Sequence, residues 1–458
     1  MTSRTVHASL AVLSLSLAAC GGESEPIAQE RLPVVSPDTS TFPATFARQW
    51  MVNLANSVKN DVISPPVAAR TYAYGAVAIY ESVVHGMPGY QSLAGQLNGL
   101  DTLPTPDPTL QYDWPSVLAQ TMHRVVNEGA YTYPNRVFFE HTTLSDASLR
   151  SLGPVQLGYR RAQGVPDDVM QNSIEYADSL ADALVAWSNA DGYYALRYKG
   201  FIPPKGPDKW VPTGFSDTDK VANPVEPYFG DVRPMVLVDG TECKTANLGL
   251  APPAFSTDPS SDFYQEAKLV RDTEVNLTDE QREIARFWAD GPGATPTPPG
   301  HWLSIATKFV RNTNLANAAA GYVWVSMGFF DSFISVWEDK FDYNLLRPIT
   351  YIRRHIDPGW QTFLDTPPFA TYPSGHSGVS GASGVLLTAY FGDIGFVDDT
   401  KLRRGFAART FASFEESAQE AAVSRLYGGI HYNFDDNDGL DQGICVGNAI
   451  KDRIVLHP

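Results

Sequence analysis

Three short stretches in the last third of the chain hold residue types that bind and transform an anion. The first is Lys340-FDYNLL-Arg347-Pro348, the second Pro373-Ser374-Gly375-His376, and the third Ser424-Arg425-LYGGI-His431-YNF-Asp435. Together they bring three cations, a hydroxyl, a glycine amide and two histidines. Arginine forks and a lysine point charge suit a tetrahedral or trigonal oxyanion. Bare N–H groups at a helix N-terminus bind negative charge, and glycine lets backbone approach it closely. His376 stands at such a place, between two glycines and ahead of the small-residue run SGVSGASG. Lys340 and Arg347 are seven residues apart, which predicts one helix face with both pointing at one ligand. Asp435, four residues past His431, can accept from that ring's second nitrogen and fix its tautomer.

Helices must carry these groups. Apolar residues recur at three- and four-residue spacing in TFARQWMVNLANSVKN and AARTYAYGAVAIYESVV, the latter entered through Ser-Pro-Pro at 64–66. Further helical patterns are WPSVLAQTMHRVVNEGA, DASLRSLGPVQLGYRRAQG, DDVMQNSIEYADSLADALVAWSNA and TDEQREIARFWAD, the last behind a threonine cap. NLANAAAGYVWVSMGFFDSFISVWEDKF is apolar on most faces and belongs in a bundle core. Residues 197–262 are irregular, and loops of that size usually wall a site. The predicted fold is mainly α, two packed four-helix-type bundles with long irregular loops. The expected division is a signal over 1–19, a tether over 20–43, an N-terminal bundle over 44–262 and the site-bearing bundle over 263–458.

Composition agrees with a globular body: 458 residues, 43% hydrophobic, 19% charged, net charge −17. So acidic a surface argues against nucleic acid and against anionic headgroups. The N-terminal VHASLAVLSLSLAA is too short to span a membrane and reads as an export signal. LAAC, ending at Cys20, resembles a bacterial lipobox, which implies a lipid anchor and an exported protein facing periplasm or cell surface. Cys243 and Cys445 are left to pair or to stay reduced.

The three stretches are similar to the signature KxxxxxxRP, PSGH, SRxxxxxHxxxD of vanadium-dependent haloperoxidases and the type 2 phosphatidic acid phosphatase superfamily, with every defining position present. The resemblance implies vanadate as cofactor, held by Lys340, Arg347, Ser374, Gly375, Arg425 and His431. In it, His431 Nε2 is the axial ligand of vanadium, Lys340 and both arginines neutralise oxygens, and His376 is the acid–base group. Hydrogen peroxide and halide would be the substrates, with a diffusible organic acceptor possible; a monomer is expected. The soluble residues ahead of the signature, with AARTYAYGAVAIYESVVHGMPGYQSL and PPGHWLSIA, look like bacterial haloperoxidases rather than phosphatases. Trp337, three residues before the lysine, recurs in haloperoxidase sites. Phe369 stands where algal bromoperoxidases carry histidine and fungal chloroperoxidases phenylalanine; similarity to bacterial iodoperoxidases there favours iodide, then bromide. Asp290 could orient Arg425, although a cap or surface role is the more usual fate of such an acid. His301 with Trp302 could line the pocket, although a satisfied histidine after a Pro-Gly loop is the favoured reading. The acids of DDNDGLD fail an EF-hand register and, Asp435 excepted, are expected on a solvated face. The alternatives are an acid phosphatase with His431 as nucleophile and a phosphate-scavenging lipoprotein.

Overall fold

TFARQWMVNLANSVKN coils as α1 (Thr45–Asn60), burying Phe46, Trp50, Met51, Leu54 and Val58 at helical spacing. Pro65 at its first turn opens α2 (Pro65–Val83). These coordinates are a computed structural model that describes residues 35–127, 143–213 and 223–457. The signal, Cys20 and most of the expected tether lie outside the described residues. Next come α3 (Trp114–Asn127), α4 (Thr143–Ala162), α5 (Asp167–Asn189) and the single turn α6 (Tyr193–Arg197). The second half holds α7 (Asp262–Val275), α8 (Asp279–Phe287), α9 (Thr297–Val310), α10 (Leu315–Tyr343), α11 (Pro348–His355), α12 (Gly375–Phe391), α13 (Phe414–Tyr427) and α14 (Asn433–Arg453). A small antiparallel pair, β1 (Phe396–Asp398) with β2 (Arg409–Phe411), completes it in the register Phe396↔Phe411.

The mainly helical expectation holds. α10 is the axle: it packs on α2, α9, α12 and α14. It is long and apolar enough to cross a membrane, yet its apolar window is wholly buried inside the protein. One hydrophobic core runs from Ala44 to Leu456 and includes residues of both halves of the chain. α12 lies unusually close to α14, and its small residues are the reason. A Cβ on Gly381 would stand 2.4 Å from the Leu440 carbonyl, and one on Gly443 2.0 Å from that of Gly378.

Residues 198–213 and 223–261 are mostly irregular, as expected, and they are bound to α10 by specific bonds. Asp331 accepts the amides of Met235, Val236 and Leu237 at 2.7, 2.8 and 3.0 Å. Cys243 and Cys445 form a disulfide across 202 positions. It ties this segment to α14, and beside it buried Asp339 accepts from Thr245 N (2.8 Å) and Gln442 Nε2 (2.9 Å).

Candidate active site

The three stretches converge, although not by the route their spacing suggests. α10 ends at Tyr343, where Asn344 takes a left-handed conformation (φ 45°), and Arg347 is the N-cap of α11. Lys340 and Arg347 therefore do not share a helix face. Pro348 cannot continue α10, and the break turns Arg347 back toward the lysine. The two cations meet the Phe369 ring at 5.3 and 4.9 Å from its centre. Trp337 packs at a tilt on Phe369, ring centres 5.1 Å apart, and its indole N–H donates to the Val225 carbonyl (3.1 Å). The irregular segment thus walls the site: Trp210 N reaches the Asn344 carbonyl (2.8 Å), and the Thr213 hydroxyl that of Pro367 (3.0 Å).

Each cation is buried and satisfied mainly by backbone. Lys340 donates to the carbonyls of Ala370 (3.2 Å), Thr371 (2.8 Å) and Pro373. Arg347 donates to Phe369 O (2.7 Å) and Ile430 O (2.9 Å), and its Nη1 donates to His431 Nε2 (3.1 Å). Arg425, in the last turn of α13, donates to Ser424 Oγ (3.0 Å) and Ala285 O (3.1 Å). Among the described residues, none of the three hydrogen-bonds a carboxylate. Burial outweighs the attraction of Asp435, Asp436 and Asp290 and pulls Arg347 down to about 9 and Arg425 to about 10, and Lys340 falls well below the usual lysine range, with Arg347 adding to the effect. The site is a concentrated positive potential in an acidic protein.

Ser374 caps α12 by accepting from Ser377 N (3.3 Å) and is itself tied by its amide to the Asp435 carbonyl (2.9 Å). Gly375 opens the helix; a Cβ there would meet the Trp337 ring at 3.2 Å. His431 Nδ1 donates to Asp435 Oδ2 (2.8 Å), which also accepts from Tyr432 N (3.1 Å) and the Thr371 hydroxyl. That bond puts the proton on Nδ1 and leaves a lone pair on Nε2. Burial and then the neighbouring Arg347 and Lys340 hold His431 neutral, and burial with Arg425 does the same for His376. Burial pushes the Asp435 carboxyl up, opposed by Thr371 and the two cations.

Among the buried polar atoms of this cluster without a protein partner are Arg347 Nη2 and His376 Nε2, with Asp435 Oδ1 and Ser377 Oγ. An oxyanion that carries a hydroxyl accepts from Arg347 Nη2 and bonds His376 Nε2 in either tautomer, and the donor set fits vanadate or phosphate.

Two sequence expectations are corrected. Asp290 does not bond Arg425, nor is it a surface acid: it is buried, φ 44°, against Lys401 and His301 Nδ1 (2.9 Å). The acids after Asp435 are not all solvated. Asp436 is 2% exposed, since α14 turns it inward next to Asp435, and Asp438 accepts from the Tyr372 hydroxyl (2.7 Å). His301 is satisfied, as read, and Trp302 donates to Ser380 Oγ (2.9 Å). Thr371, which orients Asp435, was missed; a threonine next to a motif carries no signal of its own.

Known proteins resemble this chain in sequence and fold. Residues 321–457 match the family described as the VCPO second helical-bundle domain. The crystal structure of a bacterial vanadium-dependent iodoperoxidase superposes with a TM-score of 0.80 at 32% identity, covering 93% of this chain and 99% of that one. A bacterial vanadium-dependent chloroperoxidase in its apo form shares the fold, with a TM-score of 0.61 at 15% identity over 87% of this chain and 95% of that one. The vanadium chloroperoxidase of Curvularia inaequalis is 25% identical over 360 residues, spanning 61% of this chain and 59% of that protein. Helical bundles around a buried oxyanion cradle define the class of fold. The chain belongs to the vanadium-dependent haloperoxidase family.

Proposed function

We propose that this protein binds vanadate and oxidises halide with hydrogen peroxide to hypohalous acid, taking iodide most readily and bromide second. The carrying observation is the set of buried cations without carboxylate partners gathered round a neutral His431 Nε2. Bound vanadate supplies Lewis acidity that makes a peroxide oxygen electrophilic toward halide, with no change in the metal's oxidation state. His431, oriented by Asp435, offers its Nε2 lone pair as the ligand. Lys340, Arg347 and Arg425 balance the charge of the anion's oxygens, and Ser374 Oγ with the Gly375 N–H bonds them. His376, neutral and unpartnered at Nε2, accepts a proton from incoming peroxide and returns it to the departing oxygen. Trp337 and Phe369 form the apolar wall beside Lys340. The likeness to an iodoperoxidase over nearly the full chain supports iodide. Iodide is also the easiest halide to oxidise.

Export and lipidation at Cys20 complete the reading, with the catalytic body outside the cytoplasm. Metabolic labelling with a fatty acid tests this part: C20S should lose the label, and a labelled C20S would exclude that anchor.

The deciding experiment is peroxidase activity of apo-protein titrated with orthovanadate, using iodide, bromide and chloride in turn, with phosphate as competitor. Activity should rise with vanadate, fall with phosphate and follow the order iodide, bromide, chloride. Hydrolysis of an aryl phosphate without oxidation of any halide would make the protein a phosphatase with His431 as nucleophile.

A further inference from the structure

A second ionic cluster lies behind His376. Asp290, His301, Asp398 and Lys401 are 2%, 3%, 0% and 4% exposed. His301 Nδ1 is 2.9 Å from Asp290 Oδ2 and its Nε2 is 2.8 Å from Asp398 Oδ2. Each ring nitrogen thus faces a carboxylate, which requires a proton on both. Lys401 pairs with the other oxygen of Asp290 and donates to the Phe287 carbonyl (2.6 Å). Asp398 is fixed in turn by Thr400 N (2.9 Å) and Thr400 Oγ1 (2.6 Å). Two carboxylates, an ammonium and an imidazolium cancel, so the buried group is neutral as a whole.

The segment it grips also holds a site residue. Along the C-terminal end of α8, alternate carbonyls point to two cations. Ala285 O takes Arg425 Nη2 (3.1 Å) and Phe287 O takes Lys401 (2.6 Å). Asp290 follows in a left-handed conformation, which aspartate tolerates better than most residues but which still needs holding.

We propose that Asp290, His301, Asp398 and Lys401 form a positioning clamp that fixes segment 285–290, so that the Ala285 carbonyl sets the Arg425 fork. It rests on the reading of Arg425 as a holder of the oxyanion. Loss of the His301 charge leaves two buried carboxylates face to face, and the segment must shift or one of them must protonate. The charged groups facing His301 are Asp290, Asp398 and Lys401; those near His376 are Arg425, Asp290, Lys401 and His431.

The test begins with ¹⁵N-resolved histidine side-chain NMR of the wild-type apo-protein. His301 should keep both ring protons from about pH 5 to 8, where an ordinary histidine titrates. In H301Q, and separately K401M, the Arg425 side-chain Nε–H resonance should shift. Orthovanadate affinity, read by ⁵¹V NMR, should fall about 10- to 100-fold. A His301 that titrates normally overturns the clamp. So do variants that lower only the melting temperature while the Arg425 resonance and the vanadate affinity stay in place. Should the wild type oxidise no halide, the functional reading fails, while the apo-protein spectra still decide the clamp.

Discussion

Asp435→Asn isolates the histidine ligand. Asp435 Oδ2 now accepts from His431 Nδ1 (2.8 Å), Tyr432 N (3.1 Å) and the Thr371 hydroxyl. An asparagine oxygen has two lone pairs for these three donors, and it is neutral. Hydrogen bonds to charged groups contribute about 1.5–3 kcal/mol and neutral ones about 0.5–1.5, so His431 loses about 1–1.5 kcal/mol of support. A second effect runs the other way, because removing a carboxylate near Lys340 and Arg347 favours any anion. Phosphate feels only that second effect when it binds without a bond to His431, whereas vanadate feels both. The Coulomb contribution therefore cancels in the ratio of the two dissociation constants. D435N should reduce the preference for vanadate over phosphate about tenfold, at 1.36 kcal/mol per decade. Calorimetric titration of apo-protein with each anion measures it. A ratio within twofold of wild type would refute the claim that Asp435 acts through His431.

H431A should abolish vanadate binding and halide oxidation while leaving the helical circular dichroism unchanged; residual vanadate-dependent turnover would remove His431 as the ligand. Glu81 is buried, accepts from Leu93 N (2.7 Å) and Ser92 Oγ (2.8 Å), and burial pushes its carboxyl from 4.5 to about 7. The folded protein holds that proton where the unfolded chain has released it, so this contribution is complete below pH 4.5 and lost as pH rises through about 7. Relative to wild type, E81Q should gain about 3 kcal/mol between pH 4.5 and 7.5, from 1.36 kcal/mol per unit; parallel urea-midpoint curves would contradict this. The C243A/C445A pair opens a bridge across 202 positions and should lower unfolding free energy by about 2–5 kcal/mol, read from denaturant midpoints against the oxidised wild type.

Much of this was legible because local rules agreed. The threonine cap of α8, the Pro65 start and the apolar run of α10 are written in neighbouring residues, and each of these helices formed where its pattern stood. The oxyanion set was legible for a different reason: cations grouped within short stretches of an acidic chain need a ligand. What failed was geometry between elements. A seven-residue spacing means one helix face only if the helix continues, and Asn344 ends it. Asp290 finds Lys401 and His301 at 111 and 11 positions' separation, pairings that no periodicity encodes. Asp436 was read as solvated because it sits among acids, but the N-terminal turn of α14 carries it inward. The two cysteines offered no local sign of pairing; the fold brings their Cα atoms to 5.9 Å.

The disulfide acquires another meaning once the proposed product is considered. Hypohalous acid attacks sulfur first, and thiols fastest of all. Among the described residues both cysteines are already oxidised to each other, and Met51, Met87, Met122, Met170, Met235 and Met327 are all 3% exposed or less. The described part of the chain presents almost no soft nucleophile to its own product. Among the described residues the most exposed tyrosine rings are Tyr159 and Tyr198, at 54% and 59% exposure. Self-inflicted damage should accumulate as ring iodination on those surface tyrosines, leaving the catalyst intact through many turnovers.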